Sequence, residues 1–426
     1  MLELIEIPQT ELSSAHIDAY ADITPERVEK IKALGRDLSG LSVFHVNATR
    51  HGGGVAEMLK DQVPLERAAG LDSHWLVIEG DPDFFKITKK IHNLLQGKEA
   101  SLTEHEKETY LSGNAELAEA LGRRLAGLPR GIVVIHDPQP LAAITGLPSS
   151  IRTISRLHID LTSPNAEVID FLRPYISRYS NLIVSSQAYE KSLLWDGHPP
   201  IEVIMPAINP LSDKNKPLPM DQAKKILTEF GINPDQPLVS QVSRFDPWKD
   251  PVGVVDSYYK ARNDIPELQL AMAGIKEADD DPQQTEMFEK TRDHAAGDRD
   301  VFLFFDPQNL NGVAQETFIN ALQTGSDVIL QKSIREGFGL TVTEAMWKGK
   351  AVVAGVTAGT MMQIKNAENG FLVSSVDEAA KTLVYLLKNP PERTKIGAKA
   401  RESVRENFLM PRLIEEHLEL YRKLIS

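Results

Sequence analysis

The sequence predicts an α/β chain made of two open parallel sheets with helices on their faces, followed by a helical tail. Three observations carry this. Short apolar runs alternate with helical patterns along most of the chain. The alternation stops once, at residues 209–237, where "NPLSDKNKPLPM…GINPDQP" is rich in Pro, Asn and Asp, and then restarts. The length of 426 residues suits about two to three domains of ordinary size.

In chain order, "LSVFHVNAT" (41–49), "SHWLVIEG" (73–80), "GIVVIHDP" (131–138), "IRTISRLHID" (151–160), "NLIVSS" (181–186) and "EVIMPAI" (202–208) read as strands or strand ends. Helical stretches such as "PDFFKITKKIHNLLQG" separate several of them. After the linker, "PLVSQVSRF", "LQLAMAGIK", "DVFLFFDP", "SDVILQKS" and "AVVAGVTAG" repeat the strand pattern, each followed by a loop and usually a helix. The predicted organisation is a Rossmann-like domain at 1–208, a second at 209–405, and a charged helical tail, 406–426, packing back on the first. Ligands of such sheets bind beyond the carboxyl ends of the strands, so the cleft between two of them is the expected site.

Composition narrows the function classes. A net charge of -13 disfavours nucleic acid and anionic membranes as partners. No apolar run is long enough to cross a bilayer. The opening "MLELIEIPQTELSS" has acids and no basic n-region, so no secretory signal is read there. The absence of cysteine removes disulfides, thiolate nucleophiles and cysteine metal sites, and it fits a cytoplasmic chain.

Four stretches at strand ends carry chemistry. In "HGGGVAE", Gly52 to Gly54 stand between a strand and a helix, where their amides can approach phosphate or sugar oxygens. A dinucleotide site is the rival reading, since Glu79 ends the next strand as a ribose-binding acid would. Glu57 occupies the place of that fingerprint's third glycine, which weakens it. In "SRFDPWKD", Arg244 and Lys249 lie in one loop and can both meet a diphosphate; the bland alternative is a solvated surface pair. In "SIREGFGLTVTEAMWKGK", Glu336 and Glu344 bracket a helix start at Gly339, and Lys348 and Lys350 close the helix. A carboxylate at Glu344 can accept two hydrogen bonds from a ribose diol, and Glu336 can reach a sugar hydroxyl; ordinary helix-start chemistry is the alternative. In "SRLHIDLTSPN", His158 and Asp160 follow a strand, and His45 and His136 sit near other strand ends of the same domain. No H-E-x-x-H or similar spacing suggests a metal.

Together these pieces resemble the retaining glycosyltransferases of the GT-B fold, the large family that contains the sucrose synthases. The resemblance covers nearly the whole chain. It is closest to the trehalose synthase and trehalose phosphorylase branch, through "FHVNATRHGGGVAEML", "WLVIEG", "FFKITKKIHNLLQG", "HDPQP", "HIDLTSPN", "VSRFDPWK" and "SDVILQKSIREGFGLTVTEAMWKGK". It implies retaining transfer of glucose from ADP-, UDP- or GDP-glucose to free glucose, giving α,α-trehalose, with no cofactor and no metal. Phosphorolysis of trehalose and binding of a sugar nucleotide with little turnover are the alternatives. The implied donor residues are Arg244, Lys249, Glu336, Gly337, Phe338, Gly339, Leu340 and Glu344. His158, Glu336 and Asp160 are the implied catalytic residues, and Asn47, Gly53, Gly54, His136, Asp137 and Gln139 would line the acceptor. A homodimer is expected. One region departs from the family's pattern: Gly355 stands where an arginine is expected, Ala358 replaces the first glycine of a pair, and Ala367 lies in a turn that usually carries Asp-Gly.

Overall fold

The structure, a computed structural model, describes every residue except 52 and 276–281. The chain divides into two compact units, Met1–Ala207 with Met410–Ser426, and Ile208–Leu409. The second unit therefore runs past the expected 405, and only the helix Met410–Ile425 joins the first.

The first unit is built on β1 (Glu3–Glu6), β2 (Ser42–Asn47), β3 (Asp72–Glu79), β4 (Gly131–His136), β5 (Ile151–Leu157), β6 (Asn181–Val184) and β7 (Ile201–Val203). Their order across the sheet is β1-β3-β2-β4-β5-β6-β7. Every pair is parallel except β1 with β3. Strands β2, β4 and β6 are buried at every position, as expected of strands covered on both faces. This is why they read as continuous apolar runs. The edge strand β1 escapes that reading. It is the four-residue "ELIE", and its glutamates suit the exposed rim of a sheet. The predicted strands 151–160 and 202–208 are shorter than their apolar runs, ending at Leu157 and Val203.

The second unit holds β8 (Leu238–Val242), β9 (Gln269–Ala273), β10 (Val301–Phe304), β11 (Val328–Gln331), β12 (Ala351–Gly355) and β13 (Phe371–Val373). The order is β10-β9-β8-β11-β12-β13, all parallel. Chain direction across each sheet reverses once: between β2 and β4 in the first unit, and between β8 and β11 in the second. Loops diverge at such a point and leave a crevice for ligand.

The helix Met410–Ile425 is amphipathic. Its apolar residues Met410, Leu413, Ile414, Leu418 and Tyr421 join the core of the first unit with Ile31 and Leu34. Its polar side is tied down as well. Glu415 accepts from Arg27 at 2.6 Å and from Lys30 at 2.5 Å, and Arg412 donates to the carbonyls of Met205 and Pro206 at 2.7 and 2.9 Å. Among the described residues, no helix is long and apolar enough to cross a membrane.

Candidate active site

The second unit brings two of the predicted motifs together. Because β8 and β11 are neighbours, the loops that leave them run side by side. Asp246 shapes the first by accepting from the Trp248 amide at 2.8 Å. The Trp248 carbonyl then accepts from the Ile334 amide at 2.8 Å, and the Arg335 guanidinium lies 5.0 Å from the Trp248 ring. Lys332 pairs with Asp250 across the same seam. The result is a contact that spacing could not reveal: Lys249 Nζ lies 2.5 Å from Glu336 Oε2, with both side chains mostly buried. Ser333 Oγ donates to the same oxygen at 3.3 Å. Glu336 Oε1 has no protein partner among the described residues, so one oxygen stays open to a hydroxyl donor. Arg244 sits differently. Its side chain is 63% exposed and, among the described residues, reaches only Asp246, at 3.5 Å.

Helix Leu340–Trp347 starts beside this pair. Its N-cap, Gly339, has φ 89° and offers no side-chain cap; the Val342 amide turns back to the Gly339 carbonyl at 3.0 Å, while the Leu340 and Thr341 amides meet no acceptor among the described residues. The bend before it is held from behind. Gln363 Nε2 donates to the Phe338 carbonyl at 2.6 Å, the Phe338 ring meets Phe408 at 5.7 Å, and the Gly359 amide donates to the Glu336 carbonyl at 3.0 Å. A Cβ on Gly359 would come within 2.7 Å of the Phe338 backbone, so this second residue of the departed glycine pair must be small. Ala358, one step earlier, opens the helix Ala358–Gln363 and meets no such limit. At Gly355, where the resemblance leads one to expect an arginine, a Cβ would lie 2.0 Å from the Ser333 carbonyl oxygen, so this backbone has room only for glycine.

Glu344 is fully buried, and its carboxylate meets Lys214 Nζ at 2.8 Å. Lys348 lies close by, donating to Asn215 Oδ1 at 3.1 Å. Burial brings the Lys348 ammonium down to about 7, against the pull of Glu344 and helped by Lys214 and Lys350. The second glutamate thus sits in a cationic nest of its own unit. Lys214 belongs to the linker and carries no sequence signal of a site.

Ala367 is held at φ 60° in the turn Asn366–Gly370, a left-handed conformation that costs a residue with a Cβ. Ala367→Gly is expected to stabilise the second unit by roughly 0.5–1 kcal/mol, the common scale for relieving such a position. A melting temperature that stays level or falls would show that the turn carries no strain.

In the first unit, Gly53 has φ 84° and caps the helix Gly54–Ala68, while Gly52 lies outside the described residues. The Asn47 amide is occupied: Nδ2 donates to the Thr49 carbonyl and Oδ1 accepts from Trp75 Nε1, each at 2.7 Å. Asp160 Oδ1 accepts from the Thr162 amide at 2.9 Å, an Asx turn that shapes its loop. Gln139 Oε1 is buried without a hydrogen-bond partner, an acceptor still to be satisfied.

Asp137 sits at φ 62° directly after β4, and its Oδ1 accepts from the His158 amide at 2.8 Å. Burial pushes its carboxyl up to about 7, against that hydrogen bond and the charge of Arg156. A strained aspartate thus holds the backbone of His158, which follows β5. The His158 ring continues inward: Nε2 lies 2.9 Å from His136 Nδ1, and His136 Nε2 lies 3.0 Å from His45 Nδ1. His136, named above as acceptor-binding, therefore has neither ring nitrogen left for a ligand.

Residues 45–191 match the model "Trehalose synthase, N-terminal domain", and residues 222–403 match "Glycosyl transferases group 1". Trehalose synthase of Pyrococcus horikoshii is 42% identical over 99% of this chain and 99% of its own. This chain belongs to the trehalose synthase family. It is a group 1 glycosyltransferase. Trehalose phosphorylase of Pleurotus pulmonarius is 30% identical over 78% of this chain but only 50% of its own, so this member spans about half of that relative. Sucrose-phosphate synthase of Thermosynechococcus elongatus shares the GT-B fold, with a TM-score of 0.70 at 17% identity over 90% of this chain and 99% of that one.

Proposed function

We propose that this member of the trehalose synthase family moves glucose from ADP-, UDP- or GDP-glucose to free glucose, with retention, and forms α,α-trehalose. The observation that carries the reading is the Lys249–Glu336 pair at the uncapped start of helix Leu340–Trp347. A departing nucleoside diphosphate gains negative charge as the glycosidic bond breaks. Lys249, Arg244 and the helix amides stand ready for it, and fixed donors stabilise such charge without reorganising. Glu336 holds the transferred glucose through its open oxygen. Glu344 holds the ribose, a role that requires Lys214 to yield it. Attack comes from the face the diphosphate leaves, and a leaving-group oxygen takes the acceptor proton. His158 accepts a hydrogen bond from a hydroxyl of the transferred sugar, while Gln139 and the Gly53–Gly54 turn line the acceptor.

The test is product identification by NMR. Each nucleotide-glucose is incubated with glucose, and trehalose is incubated with inorganic phosphate in parallel. α,α-Trehalose from the first reaction supports the proposal. Glucose 1-phosphate from the second alone would make the chain a phosphorylase, and measurable nucleotide-sugar binding with no product would make it a binding protein.

The charge account also predicts that no metal is needed. Among the described residues, no group of three or more His, Cys, Asp and Glu stands where it could hold one. Activity is expected to survive exhaustive EDTA treatment. Loss that Mg²⁺ or Mn²⁺ restores would sink the account, because the diphosphate charge would then rest on an ion.

A further inference from the structure

The histidine chain does not stop at His45. Its Nε2 lies 2.9 Å from Glu66 Oε2, on the helix Gly54–Ala68. Three imidazoles from β2, β4 and the end of β5 thus form one hydrogen-bonded line from a buried carboxylate to His158. His45, His136 and Glu66 are almost wholly buried. The transfer chemistry proposed above uses none of Glu66, His45 or the His136 ring.

We propose that Glu66, through His45 and His136, holds His158 in the tautomer whose bare Nδ1 accepts a hydrogen bond from a hydroxyl of the sugar being transferred. The direction of the line follows from its buried end. Glu66 is surrounded by donors. Ser73 Oγ donates to Oε2 at 2.6 Å; Gln62 Nε2 and the Tyr421 hydroxyl donate to Oε1 at 2.9 and 3.2 Å. His45 Nε2, 2.9 Å from Oε2, completes this ring of donors, so both carboxylate oxygens act as acceptors. His45 Nε2 must then carry the proton. With neutral rings, His45 Nδ1 is bare and accepts from His136 Nε2–H. His136 Nδ1 is bare in turn and accepts from His158 Nε2–H. His158 Nδ1 ends the line unprotonated, and it meets no protein partner among the described residues.

The surroundings keep the far rings neutral. Burial holds His136 and His158 well below the usual imidazole range; His158 and His45 and then Arg156 and His417 add to this at His136, and Arg156 and His417 do so at His158. Arg156 is itself fully buried, with its guanidinium 2.5 Å from His417 Nε2, and Asp137 faces the same region. A cation on His45 would reverse the line. It would donate to both neighbours, turn each ring over in sequence, and leave His158 Nδ1 protonated. In the proposed polarity, Glu66 lends negative character to the whole line. That favours the positive charge that develops at the anomeric carbon. Glu66, His45 and His136 are positioning residues, since they act through His158.

This inference rests on the transferase reading only for the identity of the hydroxyl, so the test has two independent readouts. The first is the nitrogen spectrum of ¹⁵N-histidine-labelled protein near pH 7.5, with the His158 signals assigned by their absence in His158→Gln. A His158 ring protonated at Nε2 and bare at Nδ1 is expected. A proton on Nδ1 overturns the proposal, whatever the chain's substrate. The second is Glu66→Gln, which keeps the shape and removes the charge. A fall in kcat of about tenfold or more, below the roughly 10²–10⁴-fold range for a group that itself transfers a proton because Glu66 acts only through His158, is expected with nucleoside diphosphate affinity unchanged. An unchanged kcat in a folded Glu66→Gln protein overturns the relay. If that variant does not fold, His45→Gln, which cuts the same line one step further on, is measured against the same criterion. Failure to make trehalose with the expected nitrogen spectrum intact would count against the substrate reading and leave the relay standing.

Discussion

Glu336→Gln is expected to lower kcat by roughly 10²-fold or more, by analogy with removing one preorganised polar group from a transition-state site. Affinity for the free nucleoside diphosphate should stay nearly normal. The structure gives both halves a reason. Glu336 already neutralises Lys249 at 2.5 Å, so removing its charge frees the ammonium rather than weakening the diphosphate side. What disappears is the carboxylate proposed to lie beside the transferred glucose, which acquires positive character as it moves. Glu344→Gln should behave otherwise. Its carboxylate is proposed to contact the ribose, which does not change during reaction, so its loss should act on diphosphate binding. It also leaves Lys214, 2.8 Å away, without its buried counter-charge, and a lowered melting temperature should accompany the change. Both variants are measured for diphosphate affinity and for kcat at saturating donor. If Glu336→Gln weakens the diphosphate as much as Glu344→Gln does, the division of roles fails. If neither variant changes either quantity, this helix start is not the donor site.

Lys249→Ala is expected to cost about 2–5 kcal/mol in donor binding or turnover, the scale for truncating one partner of a desolvated charge pair. Much of that cost comes from Glu336, left mostly buried with its negative charge uncompensated and facing an anionic ligand. Arg244→Ala should cost less, because its side chain is 63% exposed and water screens it until a ligand arrives. Calorimetric titration with a nucleotide-glucose, together with steady-state kinetics, ranks the two. Two variants that matched the unaltered protein in both measurements would return this loop to an ordinary solvated surface.

The parallel strands were legible because burial on both faces forces unbroken apolar runs such as "GIVVI" and "AVVAG", and this is a local signal. The restart after residue 237 was legible for the same reason, but the stretch before it is no mere linker: Ala223, Leu227 and Ile232 lie in the core of the second unit. The strand-end residues followed from the general place of sites in such sheets: Arg244, Lys249, Glu336 and His158 all lie in loops that leave strands. The four-residue β1 left too little periodicity to read. At Gly355 the letters showed a departure from the family's pattern but not what accompanies it, a carbonyl that fills the space of a side chain.

What only the tertiary structure decided are the pairings. Lys249 and Glu336 are 87 residues apart, His45 and His136 are 91, and Tyr421 reaches Glu66 across 355. Each partner by itself is an ordinary residue: an acid inside a helix, a histidine in a strand, a lysine in a loop. By itself the sequence determined which strands and loops exist, because hydrophobic periodicity is set by near neighbours along the chain. Which charges face each other was decided by strand order and helix docking, because electrostatic and hydrogen-bonding energies depend on distance in space, and only the folded chain sets that distance.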